Sequence, residues 1–220
     1  MSAEFHVLDL FAGLGGFSAA FEDSDRWDVT TVELEPEFDP DITADVFDLR
    51  PSDFEQDYDV ILASPPCTQF SPMAWTHEKQ FERDGTPLTA DAAESVALVH
   101  HTLGLVEGLA PEYWFVENPR GALRWVIGEP TATIDYCAYG HYTKKPTDWW
   151  GNHPPMTYRR CPHQTHTNAD GVTDMELGPS NPSERAKVPY GVSDAVREAC
   201  EAALDGETPT QTTTDEWMQA

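Results

Sequence analysis

Basic residues are scarce in this chain: thirteen lysines and arginines face thirty-nine acids, a formal charge of −26, and only four of the basic residues are lysines (Lys79, Lys144, Lys145, Lys187). Such an excess repels itself and destabilises a compact state unless salt screens it to within a few ångströms. The balance therefore points to a salt-adapted cytoplasm, as in an extreme halophile or a virus infecting one, with an acidic partner-binding protein as the bland alternative. It carries no information about a reaction. Long apolar runs are also missing. None approaches the roughly 18 residues of a membrane span, and no basic, apolar-cored leader opens the sequence, so a soluble, cytoplasmic protein without membrane association is expected. Cysteine is limited to Cys67, Cys137, Cys161 and Cys200, widely spaced and with no CxxC pair. In this setting they are expected to be free thiols rather than a disulfide framework. Internal repeats are absent, which excludes solenoids and propellers.

The 220 residues that remain, 40% hydrophobic and 11% aromatic, suffice for one buried core and are too few for two ordinary domains. Phe5 to Leu10 is an apolar run of strand length, followed at once by the glycine turn at Gly13, Gly15 and Gly16 and then by FSAAFE, which reads as a helix start. Strand, glycine turn and helix open a doubly wound α/β sheet. Asp28 to Glu33 and Tyr58 to Ala63 read as further strands, the latter nearly continuous in apolar residues because parallel strands are covered on both faces. Pro65 and Pro66 stop it. Thr89 to Leu109 predicts a helix, and Tyr113 to Glu117 a buried strand broken by Asn118-Pro119-Arg120-Gly121. Ala132 to Tyr139 is a candidate strand. About 40 residues rich in Pro, His, Thr and Asn follow with little periodicity, before Ser193 to Leu204 restores a helix with Ser193 as its N-cap.

The chemistry is concentrated at strand ends. A glycine turn after the first strand lets backbone approach a nucleoside closely, and Glu33, ending the next strand, is placed to hold ribose hydroxyls. Its GxGG spacing lacks the GxGxxG of a pyrophosphate-binding helix, and a turn with no ligand is the simple alternative. Cys67 follows two prolines at the end of a buried parallel strand, where open α/β sheets place their ligands. Thr68, Gln69 and Ser71 surround it with polar groups, so it reads as an accessible nucleophile more readily than as a small buried hydrophobe. Glu117 and Asn118, a carboxyl followed by an amide at another strand tip, suit a ring with a donor and an acceptor edge, as cytosine has, although a charged strand end is often only a solvated terminus.

Taken together, DLFAGLGGFS (Asp9 to Ser18), VELE (Val32 to Glu35), ADVFDL (Ala44 to Leu49), SPPCTQFS (Ser64 to Ser71) and VENPRG (Val116 to Gly121) resemble motifs I, II, III, IV and VI of the DNA cytosine-5 methyltransferases, in family order and spacing over roughly the first 125 residues. The resemblance implies a Rossmann-like, mostly parallel α/β fold that binds S-adenosyl-L-methionine and acts on DNA. It implies that Phe11 stacks on the cofactor adenine, that Gly13, Leu14, Gly15 and Gly16 line its methionine portion, that Glu33 binds the ribose, that Leu34 packs on the adenine and that Asp45 accepts from the adenine amino group, with Pro65 shaping the pocket. Cys67 would attack C6 of a flipped-out cytosine and Glu117 would hold its N3 and N4 edge, with Ser71 and Asn118 beside the base.

The sequence also departs from that family. The usual motif VIII, Gln-x-Arg-x-Arg, is not visible. Tyr136-Cys137-Ala138-Tyr139-Gly140 and then Lys144-Lys145-Pro146-Thr147 stand in its place, similar to a compact branch of the family common in phages, and Lys144 or Lys145, or else Arg120, would replace the missing arginines at the base O2 or its phosphate. The large target-recognition domain is replaced by a short insert. The expected division is thus a catalytic domain over 1–150, a recognition insert over 151–183, a returning C-terminal helix over 184–205 after a degenerate motif X at Glu184 to Pro189, and a flexible acidic tail over 206–220. No fused nuclease is expected, since no residues are left to build one. Within the insert Arg159, Arg160, Cys161, His163 and His166 read as a phosphate-contacting loop, or as a zinc site with His153. Their spacing fits no standard zinc pattern, so no metal is expected. An RNA substrate, and a non-catalytic S-adenosylmethionine or DNA-binding module, are the remaining alternatives.

Overall fold

A computed structural model describes residues 3–72, 78–162 and 181–207 of the chain. Strand β1 (Phe5–Leu10) lies between β2 (Trp27–Glu33) and β4 (Val60–Ala63), and the two-residue β3 (Ile42–Thr43) and β5 (Tyr113–Pro119) extend the parallel part on either side. The antiparallel pair β6 (Ala132–Asp135) and β7 (Pro146–Trp150) completes a seven-stranded sheet ordered β3-β2-β1-β4-β5-β7-β6. The sheet is therefore the mostly parallel, doubly wound arrangement expected from the strand and glycine-turn pattern.

Residues alternate strictly between its two faces. Leu8, Leu10, Ile61, Ala63 and Val116 pack on helix α2 (Ala90–Leu109) through Val99, Leu105 and Val106. Val7, Val60, Leu62 and Phe115 face the other way, onto Phe17, Phe21 and helix α5 (Tyr190–Leu204) through Val192, Val196 and Cys200. Burial on both faces is the reason these strands read as apolar runs. Cys200 is a filler of this second layer.

Five local expectations change. The helix start at FSAAFE shrinks to the single turn α1 (Ala19–Glu22). Strand β5 runs on through Asn118 and Pro119, because Pro119 needs no N–H where β7 pairs with it at the strand end. The candidate strand from Ala132 stops at Asp135 and tightens into a 3₁₀ turn over Tyr136–Tyr139. Strand β7 had no local signal. Its buried Asp148 breaks the apolar pattern and is satisfied by the Arg124 guanidinium, on the short helix α3 (Leu123–Ile127), and by Thr133 Oγ1. Helix α5 begins three residues before Ser193, with Pro189 as its N-cap. Ser193 is instead tertiary glue: its hydroxyl donates to Phe17 O at 2.6 Å and accepts from Ala20 N at 3.0 Å.

The first residues of the expected insert lie on the sheet. Asn152 O accepts from Trp114 N, Arg159 O accepts from Asp135 N, and Cys161 N donates to the Asp135 carboxylate. Among the described residues no helix is long and apolar enough to cross a membrane.

Candidate active site

Parallel strands deliver their C-terminal residues to one edge, and here the register does so in sequence-distant sets. Leu10 pairs with Ala63 and Ala63 with Val116, so the positions just beyond, Phe11, Ser64 and Glu117, stand side by side. Above them is a cavity of about 600 Å³, within the range that binds nucleoside-sized ligands. Phe11, Gly13, Leu14, Gly16, Glu33, Leu34, Asp45, Pro65, Cys67, Glu117 and Lys145, all singled out in the sequence, line it. Gly15, Ser71, Asn118, Arg120 and Lys144 do not line it.

Those five have other placements. Gly15, at φ +65°, makes the turn rather than a wall. Ser71 N donates to Cys67 O at 2.9 Å and closes the loop that carries the thiol. Asn118 is buried and donates from Nδ2 to Pro65 O at 2.9 Å, tying β5 to the Pro-Pro-Cys turn. Arg120 N donates to Pro146 O, which draws Arg120 and the Lys144-Lys145 segment together. Of the two lysines, Lys145 reaches the cavity: its ammonium lies 4.8 Å from the Tyr136 ring centroid and donates to Arg185 O and Ala186 O, both at 3.1 Å.

The floor holds polar atoms with nothing to bond to. Asp9 Oδ1, Ser64 Oγ and Glu117 Oε2, at the tips of the adjacent strands β1, β4 and β5, are buried without a hydrogen-bond partner. Native proteins rarely leave such groups orphaned unless a ligand or water completes them. Asp9 uses its other oxygen to accept from Ser18 Oγ at 2.7 Å. Dehydration nonetheless pushes its carboxyl up to about 7, helped by Glu22 and Glu33. Asp9 was missed in the sequence because an aspartate inside an apolar strand reads as part of the pattern around it. The helix wall formed by Asp91, Glu94, Ser95 and Leu98 was missed as well, and so was Lys187 on the opposite rim. The four helix residues belong to no short motif.

Glu33 is already engaged. Its Oε2 accepts from Gly13 N at 2.9 Å and its Oε1 from Leu34 N at 2.8 Å, which ties the glycine turn to the end of β2. Asp45 caps the following 3₁₀ turn through Oδ1, accepting from Phe47 N, and is half-buried at the cavity edge. The Cys67 thiol is half-buried and shifted above its ordinary value, first by dehydration and then by the Glu117 charge, with Lys145 acting against both. Burial likewise raises Glu117, against Lys145 and the nearby Tyr136 hydroxyl. That hydroxyl lies close enough to favour the Glu117 carboxylate, but neither it nor Glu117 Oε2 completes a hydrogen bond of good geometry. A buried carboxyl raised above its ordinary value beside a thiol can hold a proton for a ring nitrogen.

The insert's cations are occupied. Arg160 Nε donates to Asp135 at 2.8 Å, and Arg159 lies over the Tyr139 ring. The Cys161 thiol pairs with that of Cys137, while His153 stacks on Phe115 at 4.3 Å and is pushed down to about 4 by burial. Among the described residues no three such side chains gather as metal ligands. His163 and His166 lie outside the described residues.

A doubly wound sheet with a nucleoside-sized cavity, a glycine turn at one end and a thiol beside a buried acid at the other can hold a nucleoside and present a nucleophile to a second ligand. The sequence model for C-5 cytosine-specific DNA methylases matches residues 5–125, more than half of the chain, and the protein belongs to that family. It is a cytosine-5 methyltransferase, and S-adenosyl-L-methionine is its methyl donor. The chain is 29% identical over 195 residues to the "Probable DNA (cytosine-5)-methyltransferase" of Frog virus 3 (isolate Goorha), covering 80% of this chain and 81% of that protein. It is 37% identical over 76 residues to the type II methyltransferase M.HaeII of Haemophilus aegyptius, covering 31% of this chain and 24% of that one. A solved DNA modification methyltransferase encoded within an E. coli prophage aligns at 20% identity with a TM-score of 0.48, over 80% of this chain and 56% of that one.

Proposed function

We propose that this chain methylates C5 of a cytosine flipped out of duplex DNA, with Cys67 as covalent nucleophile and Glu117 as the acid that holds the ring. The observation that carries the reading is the convergence of three orphaned polar atoms, Asp9 Oδ1, Ser64 Oγ and Glu117 Oε2, with the Cys67 thiol on one cavity.

The residues present fit the cofactor. Phe11, Leu34 and Phe47 offer apolar surface for a purine, Asp45 has a second oxygen for its amino group, and Glu33 faces a ribose. The free Asp9 oxygen suits the α-ammonium group. When bound, the cofactor supplies an electrophilic methyl group.

C5 of cytosine is a weak nucleophile. Cys67 Sγ, once it has lost its proton, adds to C6 and makes the ring an enamine, nucleophilic at C5. Glu117 donates its proton toward N3, where negative charge would otherwise accumulate, and Lys145 favours both the incipient thiolate and the carboxylate that Glu117 leaves behind. A donor of this kind is worth about 3–4 kcal/mol in comparable sites. Once C5 carries the methyl group, transfer of the C5 proton to a solvent water expels Cys67 and restores the aromatic ring. Extruding the base from the duplex costs a few kcal/mol, which the cavity contacts must offset. Residues 151–183 are a recognition insert in this reading, with the catalytic unit before it and the returning helix after it.

The test is methyl incorporation into duplex DNA, with tRNA as the contrasting substrate. Cys67→Ser should abolish turnover while S-adenosylhomocysteine still binds, and 5-fluorocytosine in the target should trap an adduct at Cys67. An adduct mapped to Cys137 or Cys161, or full activity of Cys67→Ser, would overturn the mechanism.

A further inference from the structure

One buried polar group beside the site has no task in the reaction as derived above. Tyr136 is fully buried, and its hydroxyl completes no hydrogen bond. Phenylalanine would fill the same space without leaving an unpaired hydroxyl, so the oxygen needs a reason to be there.

The sheet carries it to the reacting edge. Strand β7 is antiparallel to both β5 and β6, so β5 and β6 run the same way and end at the same edge. Tyr136 follows the last residue of β6, and Lys145 precedes the first residue of β7, which brings both to that edge. The Lys145 ammonium lies 4.8 Å from the Tyr136 ring centroid, held by its bonds to Arg185 O and Ala186 O in helix α4 (Pro182–Ala186). His141 meets the ring edge-on at 5.8 Å. The ring is thereby fixed with its hydroxyl within reach of the Glu117 carboxyl, whose Oε2 is itself an orphan. Thr147 also approaches the hydroxyl, but its Oγ1 already donates to Lys145 O at 3.1 Å. Glu117 is the acceptor that gains charge in the reaction.

We propose that Tyr136 is a positioning residue for the methyl transfer, its hydroxyl donating to the Glu117 carboxyl and aligning it for the cytosine edge. The proposal rests on the reading that Glu117 is the acid at N3. While Glu117 is neutral the hydrogen bond is an ordinary one. As the proton passes from Glu117 to N3 the acceptor becomes a carboxylate, and a bond to an ionised acceptor is about twice as strong. Tyr136 keeps its own proton throughout: dehydration, then the Glu117 charge, holds the phenol well above its ordinary range. An interaction that strengthens toward the transition state raises kcat rather than substrate affinity. Lys145 and Cys67 are the other titratable groups that Glu117 feels or acts on.

Tyr136→Phe keeps the ring and deletes the hydroxyl. Methylation kinetics on duplex DNA, S-adenosylhomocysteine titration, thermal melting and infrared spectra are to be compared for wild type, Tyr136→Phe and Glu117→Gln. In Tyr136→Phe kcat should fall about 10- to 100-fold, as for loss of one hydrogen bond to a charged group. KM for DNA, S-adenosylhomocysteine affinity and melting temperature should stay close to wild type. The infrared carboxyl band that Glu117→Gln removes reports the Glu117 proton, and it should persist to higher pH in Tyr136→Phe, because the hydroxyl favours the carboxylate. An unchanged kcat overturns the proposal. So does a lower kcat with the band titrating as in wild type, which would put the hydroxyl's action elsewhere, and so does a joint loss of melting temperature and ligand affinity, the mark of a packing role. A Glu117→Gln enzyme as fast as wild type would instead overturn the reading of Glu117 as the acid, and the proposal with it.

Discussion

Replacing Asp9 by asparagine removes a charge and little else, since an amide oxygen can still accept the 2.7 Å hydrogen bond from Ser18 Oγ. In the native protein the Asp9 carboxyl is fully buried and titrates near 7 instead of the ordinary 3.8. An acid with a raised native pKa keeps its proton in the folded state at pH values where the unfolded chain has released it. Folding stability therefore falls as pH rises from about 4 to about 7 and levels off above that. At about 1.4 kcal/mol for each pH unit between the two titrations, the wild type at pH 8 carries an upper burden of about 4 kcal/mol from this one group. Water in the adjoining cavity relaxes part of it, so about 2–4 kcal/mol is the expected gain of Asp9→Asn over wild type at pH 8, vanishing by pH 4. Urea unfolding of both proteins across this range measures the difference directly. The same substitution should weaken S-adenosylhomocysteine, because the ammonium group then meets a neutral amide. A wild-type-minus-variant difference that stays level from pH 4 to pH 8 would refute the reasoning, since it would mean that Asp9 is not held in a dehydrated site.

Asp45→Ala should weaken S-adenosylmethionine by one to two orders of magnitude in calorimetry, on an estimate of about 1.5–3 kcal/mol for a lost charged hydrogen bond; unchanged affinity would displace the adenine from this edge. In Glu117→Gln the Cys67 thiol should titrate at lower pH, because the Glu117 charge raises it in the wild type, and alkylation followed across alkaline pH would reveal the shift; a midpoint that stays put or rises contradicts the proposed contact. Gly121→Ala should lower the melting temperature by several degrees, as its Cβ would come within 2.1 Å of Phe70 O, and a variant as stable as wild type would show that this turn can yield. The methylation rate should rise with KCl from dilute buffer, since screening relieves repulsion within a chain of charge −26 and between it and DNA; an enzyme that stays folded by circular dichroism yet works best in dilute buffer would contradict this.

The strands β1, β2, β4 and β5 and the helix α2 were legible because each is an apolar run or a capped alanine- and leucine-rich stretch whose pattern follows from its own burial. Thr89 caps α2 through its side chain, accepting from Ala92 N. The glycine turn, Cys67 and Glu117 were legible for a related reason: they sit within short contiguous motifs next to those strands. Strand β7 was not, because Asp148 in its centre is tolerable only once Arg124 from another element reaches it. Ser193 looked like a helix cap, a reading local chemistry allows, until the chain brought Phe17 and Ala20 to its hydroxyl.

Local sequence thus determined which segments would be strands and singled out the glycine turn and the Cys67 thiol, since those features depend on residues within a few positions of one another. Tertiary structure alone decided that Lys145, not Lys144, lines the cavity, that Asp9 is left with an unpaired oxygen, and that Lys187 packs on Gly16. Dehydration and charge act through space over a few ångströms, and residues 16 and 187 become neighbours only when the sheet and its last helix close around the same cavity.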